Sequence, residues 1–280
     1  KEVVSLGHQV LCLRRISSKS MFDSVVESKI EWINIEDSKL KDKVSWFQPD
    51  VLFHAAWGGV RGNGREDGNV QNENLAMSRR MFELYPYKQI IVIGSQAEYG
   101  FYYGPVDENH ALRPTMEYGR AKKQCCDDLK KYCESKDLEW QWIRIFTVFG
   151  EQQTGGLIKL AIDKCKEGDK KFDTTEGNQR YSYLYAVDFA KALCQMLGAK
   201  GKSGIYNLSQ PMEVHSNRYV LERIKEKMHS DIRFNFGAIP YVDDQIMLMD
   251  GTVDKFVRAF GAIPHTDFEL ALNKTIESFK

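Results

Sequence analysis

Cysteine is sparse and unpatterned in this sequence. Cys12, Cys125, Cys126, Cys133, Cys165 and Cys194 include no CxxC pair and no His/Cys cluster at metal-ligand spacing, so free thiols and no metal site are expected. An excess of charge of either sign is also missing. Thirty-nine Lys and Arg balance 39 Asp and Glu, and no basic stripe carries interleaved aromatics, which argues against nucleic acid as a partner. Long apolar runs are absent: stretches such as Ile90 to Ile93 fall far below the ~20 residues of a membrane span. No signal-peptide pattern opens the chain, and no internal repeat or low-complexity segment interrupts it. No membrane partner and a cytoplasmic location are the corresponding expectations.

What is there is an alternating rhythm. The 280 residues, 42% of them hydrophobic, suffice for one large α/β unit or two unequal domains. Gln9 to Leu13, Val51 to Ala55, Gln89 to Ile93 and Trp142 to Phe149 read as strands. Between and after them Asn74 to Tyr85, Met116 to Ser135, Leu157 to Lys166, Ala186 to Leu197 and Asn217 to His229 carry apolar residues at helical spacing. The alternation predicts an α/β fold: a doubly wound, parallel, Rossmann-like sheet. Lys1 to Leu6 followed by Gly7 reads as the end of a helix with its C-terminal glycine. The strand and glycine-rich phosphate loop that normally precede such a helix, a unit of ~20–30 residues, are expected to lie before Lys1.

Tyr118-Gly-Arg-Ala-Lys122 opens the predicted helix after Pro114, and a spacing of four puts both side chains on one face. An ammonium beside a phenol favours phenolate, which makes tyrosine a usable acid/base near neutral pH. Upstream, the apolar strand Ile90-Ile-Val-Ile-Gly ends in Ser95. Ligands of α/β sheets sit off the carboxyl ends of strands, so Ser95 is placed to meet a substrate oxygen. Together, GSQAEYG (94–100) and RPTMEYGRAK (113–122) resemble the active-site strand and YxxxK helix of the extended short-chain dehydrogenases, the nucleotide-sugar epimerase/dehydratase/reductase family.

Further segments resemble that family in the order it requires. They are Asp50 to Ala56, Asn72 to Ala76, Arg144 to Gly150, Tyr183 to Ala190 and Phe236 to Tyr241. The resemblance implies a dinucleotide-binding domain over residues 1–147 with a return segment at 177–200. A smaller nucleotide-sugar-binding domain would occupy the remainder of 148–280. It implies Ser95, Tyr118 and Lys122 as the catalytic set. Ala55, Ala56, Trp57, Asn74, Ile93, Phe146 and Val148 would flank the cofactor, with Asn74 steadying the central strands. Gln96, Thr147, Gly156, Leu157, Arg180, Tyr183 and Arg233 would lie on the substrate side. Arg180 and Arg233 are candidates for the diphosphate, although members often carry an Arg where this chain has Val242.

Residue chemistry narrows the expectation. Arg14 and Arg15 stand at the strand end where NAD-binding members place an acidic residue, and guanidinium groups suit a 2′-phosphate. NADP(H) is therefore expected, with NAD(H) the alternative. Gln96 and Ala97 occupy the places of the Asp-Glu couple of dehydratases, and neither transfers protons. The GDP-fucose-synthase type needs a Cys at Ala97 and a His near Gln152, which are missing. Hydride transfer remains: an NADPH-dependent reductase of a nucleotide-linked 4-keto (6-deoxy) sugar, a nucleotide-sugar 4-epimerase, or an inactive NADP-binding scaffold. The loop Trp57-Gly-Gly-Val-Arg61-Gly-Asn-Gly-Arg65 reads either as a cradle for sugar or phosphate or as a surface loop. A homodimer is expected through the helices containing Met77, Met81, Leu84 and Leu129, as in family members.

Overall fold

The computed structural model describes residues 1–16 and 24–280. In chain order the elements are α1 (Glu2–Ser5), β1 (Val10–Arg14), α2 (Ser24–Glu27), β2 (Ile30–Asn34), α3 (Leu40–Phe47), β3 (Val51–His54), α4 (Gly68–Glu83), β4 (Gln89–Ile93), α5 (Glu117–Glu134), β5 (Glu139–Ile145), β6 (Thr147–Phe149), α6 (Leu157–Glu167), β7 (Lys171–Thr174), β8 (Arg180–Tyr185), α7 (Ala186–Cys194), β9 (Gly204–Leu208), β10 (Val214–Ser216), α8 (Asn217–Lys227), β11 (Arg233–Phe236), β12 (Leu248–Met249), α9 (Asp254–Phe260) and α10 (Phe268–Glu277). They form two compact units. The first comprises Lys1–Glu98, Met116–Ile143 and Leu193–Ile205; the second comprises Tyr99–Thr115, Arg144–Ala192 and Tyr206–Lys280. The return segment 177–200 is divided: residues 177–192 belong to the second unit and 193–200 to the first.

In the first unit, aliphatic strands bury both faces between helices, as parallel sheets do. β3, β4 and β5 are parallel, with Val51 opposite Gln89 and Gln89 opposite Glu139, and β9 completes the order β3-β4-β5-β9. Ile90, Ile91, Val92, Trp142 and Ile143 are sealed from solvent. Among the described residues β1 pairs in parallel with β2 alone. β1 and β3 both line a cavity of about 1130 Å³, together with Val44, Met77 and Met81. Gly7 takes a left-handed φ of 85°, as expected of a glycine just past a helix end.

α4 starts where Asp67 caps it, the side chain accepting from Asn69 N at 3.0 Å and Val70 N at 3.3 Å. α5 lies beside α4, and Arg79 Nε donates to Asp128 at 2.7 Å across the pair. Met81 and Leu84 are buried, with Met77 packed beside them, in a cluster with Ile33, Leu40 and Val44. Leu129 is sealed in another cluster with Phe82, Ile90 and Trp140. Met81, Leu84 and Leu129 therefore belong to the chain's own core, and Met77 packs at its edge. Burying apolar area against the parent sheet already satisfies them.

In the second unit β8 is the central strand. β6 pairs with it in parallel, β10 antiparallel and β12 parallel, while β7 and β11 form a separate parallel pair. α6, α8 and α10 pack Ile162, Leu221, Ile224 and Leu272 against Phe149 and Tyr183. Ser216 and Asp267 cap α8 and α10 by accepting from Tyr219 N and Leu270 N. All six cysteines are free thiols. Among the described residues no helix is long and apolar enough to cross a membrane.

Candidate active site

The catalytic candidates converge in the first unit at the carboxyl end of β4. Ser95 is 7% exposed, Tyr118 9% and Lys122 4%. Gly94 follows β4, and its N–H donates to Ile143 O at 2.7 Å, which carries the strand pairing one residue further. The chain then makes a short 3-10 turn over Gln96–Glu98. Ser95 Oγ accepts from Ala97 N at 3.1 Å, so the serine also caps that turn. From the first turn of α5, Tyr118 brings its hydroxyl within electrostatic reach of the Ser95 side chain. One helical turn later Lys122 donates to Ile93 O at 2.7 Å, and its ammonium lies 3.8 Å from the centre of the Trp57 ring.

Burial dominates the electrostatics. It raises the Tyr118 phenol above its ordinary value, while the Ser95 side chain and the charge of Arg65 pull it back. It pushes the Lys122 ammonium down from 10.5 to about 8. His54, at the end of β3, is driven to about 4 by burial and then by the charge of Lys122, and is neutral at neutral pH. Its Nε2 lies 2.8 Å from Ser78 Oγ, which itself donates to Asn74 O at 2.8 Å. The cation over the Tyr118 ring is Arg65, whose Cζ lies 5.1 Å from the ring centre. Lys122 faces the strand carbonyl and Trp57 instead, because a buried ammonium needs an acceptor and Ile93 O is within its reach.

Beneath the serine lies a carboxylate that sequence reading did not single out. Glu98 is fully buried, and its Oε1 accepts from Ser95 N at 2.8 Å and from Trp142 Nε1 at 2.9 Å. A glutamate in a turn carries no mark that distinguishes it from a solvated one; burial here depends on Trp142, far along the chain. Gly94 is required by this packing. A Cβ there would meet Glu98 Oε1 at 2.7 Å and drive into Trp142. Gly94→Ala is expected to lower stability by about 1–3 kcal/mol, as overpacking does, and to lower turnover by displacing Ser95. An unchanged denaturation midpoint would contradict this packing argument.

The other expected site residues distribute as follows. Ala55 and Ala56 are exposed at the end of β3. Asn74 holds the loop beyond them, Oδ1 accepting from Gly58 N at 2.8 Å and Nδ2 donating to Gly58 O at 2.9 Å. Arg14 stacks on Trp32, with Cζ 4.4 Å from the ring centre, and Arg15 is exposed. Gln96 sits in the turn after Ser95.

Phe146, Thr147, Val148, Gly156, Leu157, Arg180, Tyr183 and Arg233 belong to the second unit. Phe146 is buried with Tyr99, Tyr102 and Val106, and Thr147 and Val148 lie in β6. Gly156, with a φ of 92°, precedes Leu157 at the start of α6. Arg180 and Arg233 are exposed on β8 and β11. Tyr183 is enclosed in that unit's core, its hydroxyl donating to Asn217 at 2.9 Å.

The chain is similar to several known proteins. A putative UDP-glucose 4-epimerase of Methanocaldococcus jannaschii is 29% identical over 204 residues, 69% of this chain and 66% of that protein. The chain thus spans just under two thirds of that relative's length. A dTDP-6-deoxy-L-talose 4-dehydrogenase (NAD(+)) of Aggregatibacter actinomycetemcomitans is 25% identical over 214 residues, 74% and 77% of the two chains. Among solved structures, a UDP-N-acetylglucosamine 4-epimerase from Methanobrevibacter ruminantium, in complex with UDP-N-acetylmuramic acid, superposes with a TM-score of 0.85 at 21% identity. It covers 97% of this chain and 90% of that one. The model of the NAD dependent epimerase/dehydratase family matches residues 1–209, and the chain is a member of that family of enzymes.

Proposed function

We propose that the protein reduces the ketone of a nucleotide-linked 4-keto-6-deoxy sugar with NADPH. The observation that carries this reading is the meeting of the Ser95 and Tyr118 side chains at the end of β4. Two hydroxyls held together at a strand end offer two donors to one carbonyl oxygen, where negative charge develops during reduction. Tyr118 then passes its phenolic proton to that oxygen, and Ser95 keeps the oxygen aligned. Gln96 and Ala97 supply no acid or base beside them, which favours plain hydride transfer over dehydration. The 4-dehydrogenase relative, by its name, works at the same sugar position.

The residues present suit a nicotinamide dinucleotide. Ala55 and Ala56 leave the end of β3 exposed without bulk. Lys122 gives one N–H to Ile93 O and has two more for ribose hydroxyls. Arg14 holds its guanidinium over the Trp32 ring and makes no ion pair among the described residues, so its N–H groups suit a 2′-phosphate. When bound, the cofactor supplies the hydride, and the protein supplies position and charge. Arg14→Asp is expected to weaken NADPH by roughly ten- to a hundred-fold while NADH changes little. Dissociation constants for both cofactors on the full-length protein decide the point; an unchanged ratio removes Arg14 from phosphate recognition.

A second reading is favoured by the epimerase names of the relatives: 4-epimerisation through the same three residues with a retained cofactor. The full-length protein incubated with NADPH and a panel of nucleotide 4-keto sugars separates the two. Net consumption of NADPH supports reduction. A dinucleotide that copurifies, with no net consumption, supports epimerisation.

A further inference from the structure

We propose that Arg65 is a positioning residue for the acid/base step, supplying the positive charge that faces the Tyr118 phenol. The proposal rests on the assignment of Tyr118 as the acid/base, and it comes from the loop between β3 and α4. That loop is folded back on itself. Gln71 Nε2 donates to Gly59 O at 3.3 Å and to Gly64 O at 2.7 Å, and Trp57 Nε1 donates to Gln71 Oε1 at 2.8 Å. The two glycine backbones touch: a Cβ on Gly64 would meet Gly59 Cα at 2.8 Å. Gly59 also holds a left-handed φ of 62°, so side chains are excluded there on both counts. The loop is therefore a built structure, and it ends with Arg65 over the Tyr118 ring at 5.1 Å.

Among the described residues no anion competes for Arg65. It makes no ion pair among the described residues, and its Nε is buried without a hydrogen-bond partner. A buried donor left unpaired by protein groups costs free energy. The neighbouring Glu66 is turned elsewhere, its Oε2 accepting from Glu117 N at 3.3 Å.

The charged groups that act on Tyr118 are Arg65 from the loop and Glu98 from the turn after β4; Glu117 and Lys122 share its helix and are engaged elsewhere. Glu98 raises the phenol, Arg65 lowers it, and Glu117 is occupied by Arg120. The Lys122 ammonium is engaged by Ile93 O and Trp57. Arg65 thus offsets part of the burial that makes the phenol reluctant to ionise.

Ultraviolet difference titration of the phenol, wild type against Tyr118→Phe, reads this directly and needs no substrate. Arg65→Gln is expected to move the Tyr118 titration upward by about one pH unit, the size of effect an opposite charge within ~4–6 Å produces. Arg65→Lys is expected to restore most of the shift. The same displacement is expected in the alkaline limb of the pH profile of turnover. An unmoved titration in Arg65→Gln overturns the proposal, and so does an equal shift in Gln and Lys variants, since charge would then not be the cause. Should Arg65→Gln fail to fold, Arg65→Met keeps the unbranched stem and takes its place. If the titration moves but no sugar ketone is reduced, the fault lies with the proposed substrate and not with Arg65.

Discussion

Tyr118→Phe is expected to lower turnover by about 100–10,000-fold, the range that general acid–base catalysis supplies. Phenylalanine fills the same space against Trp57, whose ring meets Tyr118 edge-on with centroids 6.5 Å apart. Only the transferable proton and the interaction with Ser95 are lost, so cofactor affinity should stay within a few-fold. Steady-state turnover and cofactor titration on the same preparation check both halves. Unchanged turnover removes Tyr118 from the mechanism, whereas a large loss of cofactor binding makes it a cofactor contact.

Lys122→Met is expected to abolish turnover and at the same time to stabilise the fold. Holding the ammonium at 4% exposure drives it from 10.5 to about 8. At 1.36 kcal/mol per pH unit, that displacement is worth about 3 kcal/mol against the charged form. Methionine retains the unbranched stem without the charge. It leaves Ile93 O without the ammonium, which offsets about 1 kcal/mol or more. A net gain of about 1–2 kcal/mol at pH 7 follows, a case of stability given up for function. Between pH 8 and 10.5 the unfolded chain still holds the proton that the folded chain has released. Wild-type stability therefore gains with rising pH across that window relative to the Met variant. Denaturant midpoints for both proteins at pH 7 and pH 10 measure this. A Met variant that is less stable at pH 7, or an advantage that fails to shrink by pH 10, would show that burial of Lys122 carries no such cost.

Much of the site was legible because it rests on local pattern. Tyr118 and Lys122 are four apart in a helix whose predicted limits, Met116 to Ser135, differ by one residue at each end from α5, Glu117–Glu134. Ser95 follows a strand predicted and found at Gln89–Ile93. The run Trp142 to Phe149, read as one strand, is broken at Phe146 into β5 and β6. Phe146 turns into a cluster with Tyr99, Tyr102 and Val106, and no alternation within eight residues announces that. The short strands β7, β11 and β12 of the second unit also went unread. Two to four residues are too few for a period, and their pairing partners lie far away in sequence.

By itself, the sequence determined the α/β class, the helices with strong apolar spacing and the shared face of Tyr118 and Lys122. The physical reason is that helical hydrogen bonds and side-chain direction depend on neighbours within about one turn. Tertiary structure alone decided which charges meet. Glu98 is buried under Ser95 because β4 pairs with β5 and brings Trp142 over it. Arg65 lies over Tyr118 because Gln71 and Asn74 close the loop after β3. Met81 and Leu84 of the α4 segment pack with Ile33, Leu40 and Val44, and Leu129 of α5 packs with Ile90 and Trp140, partners remote in sequence. Electrostatic influence depends on distance through space and on exclusion of water, and neither is set until strands remote in sequence have paired.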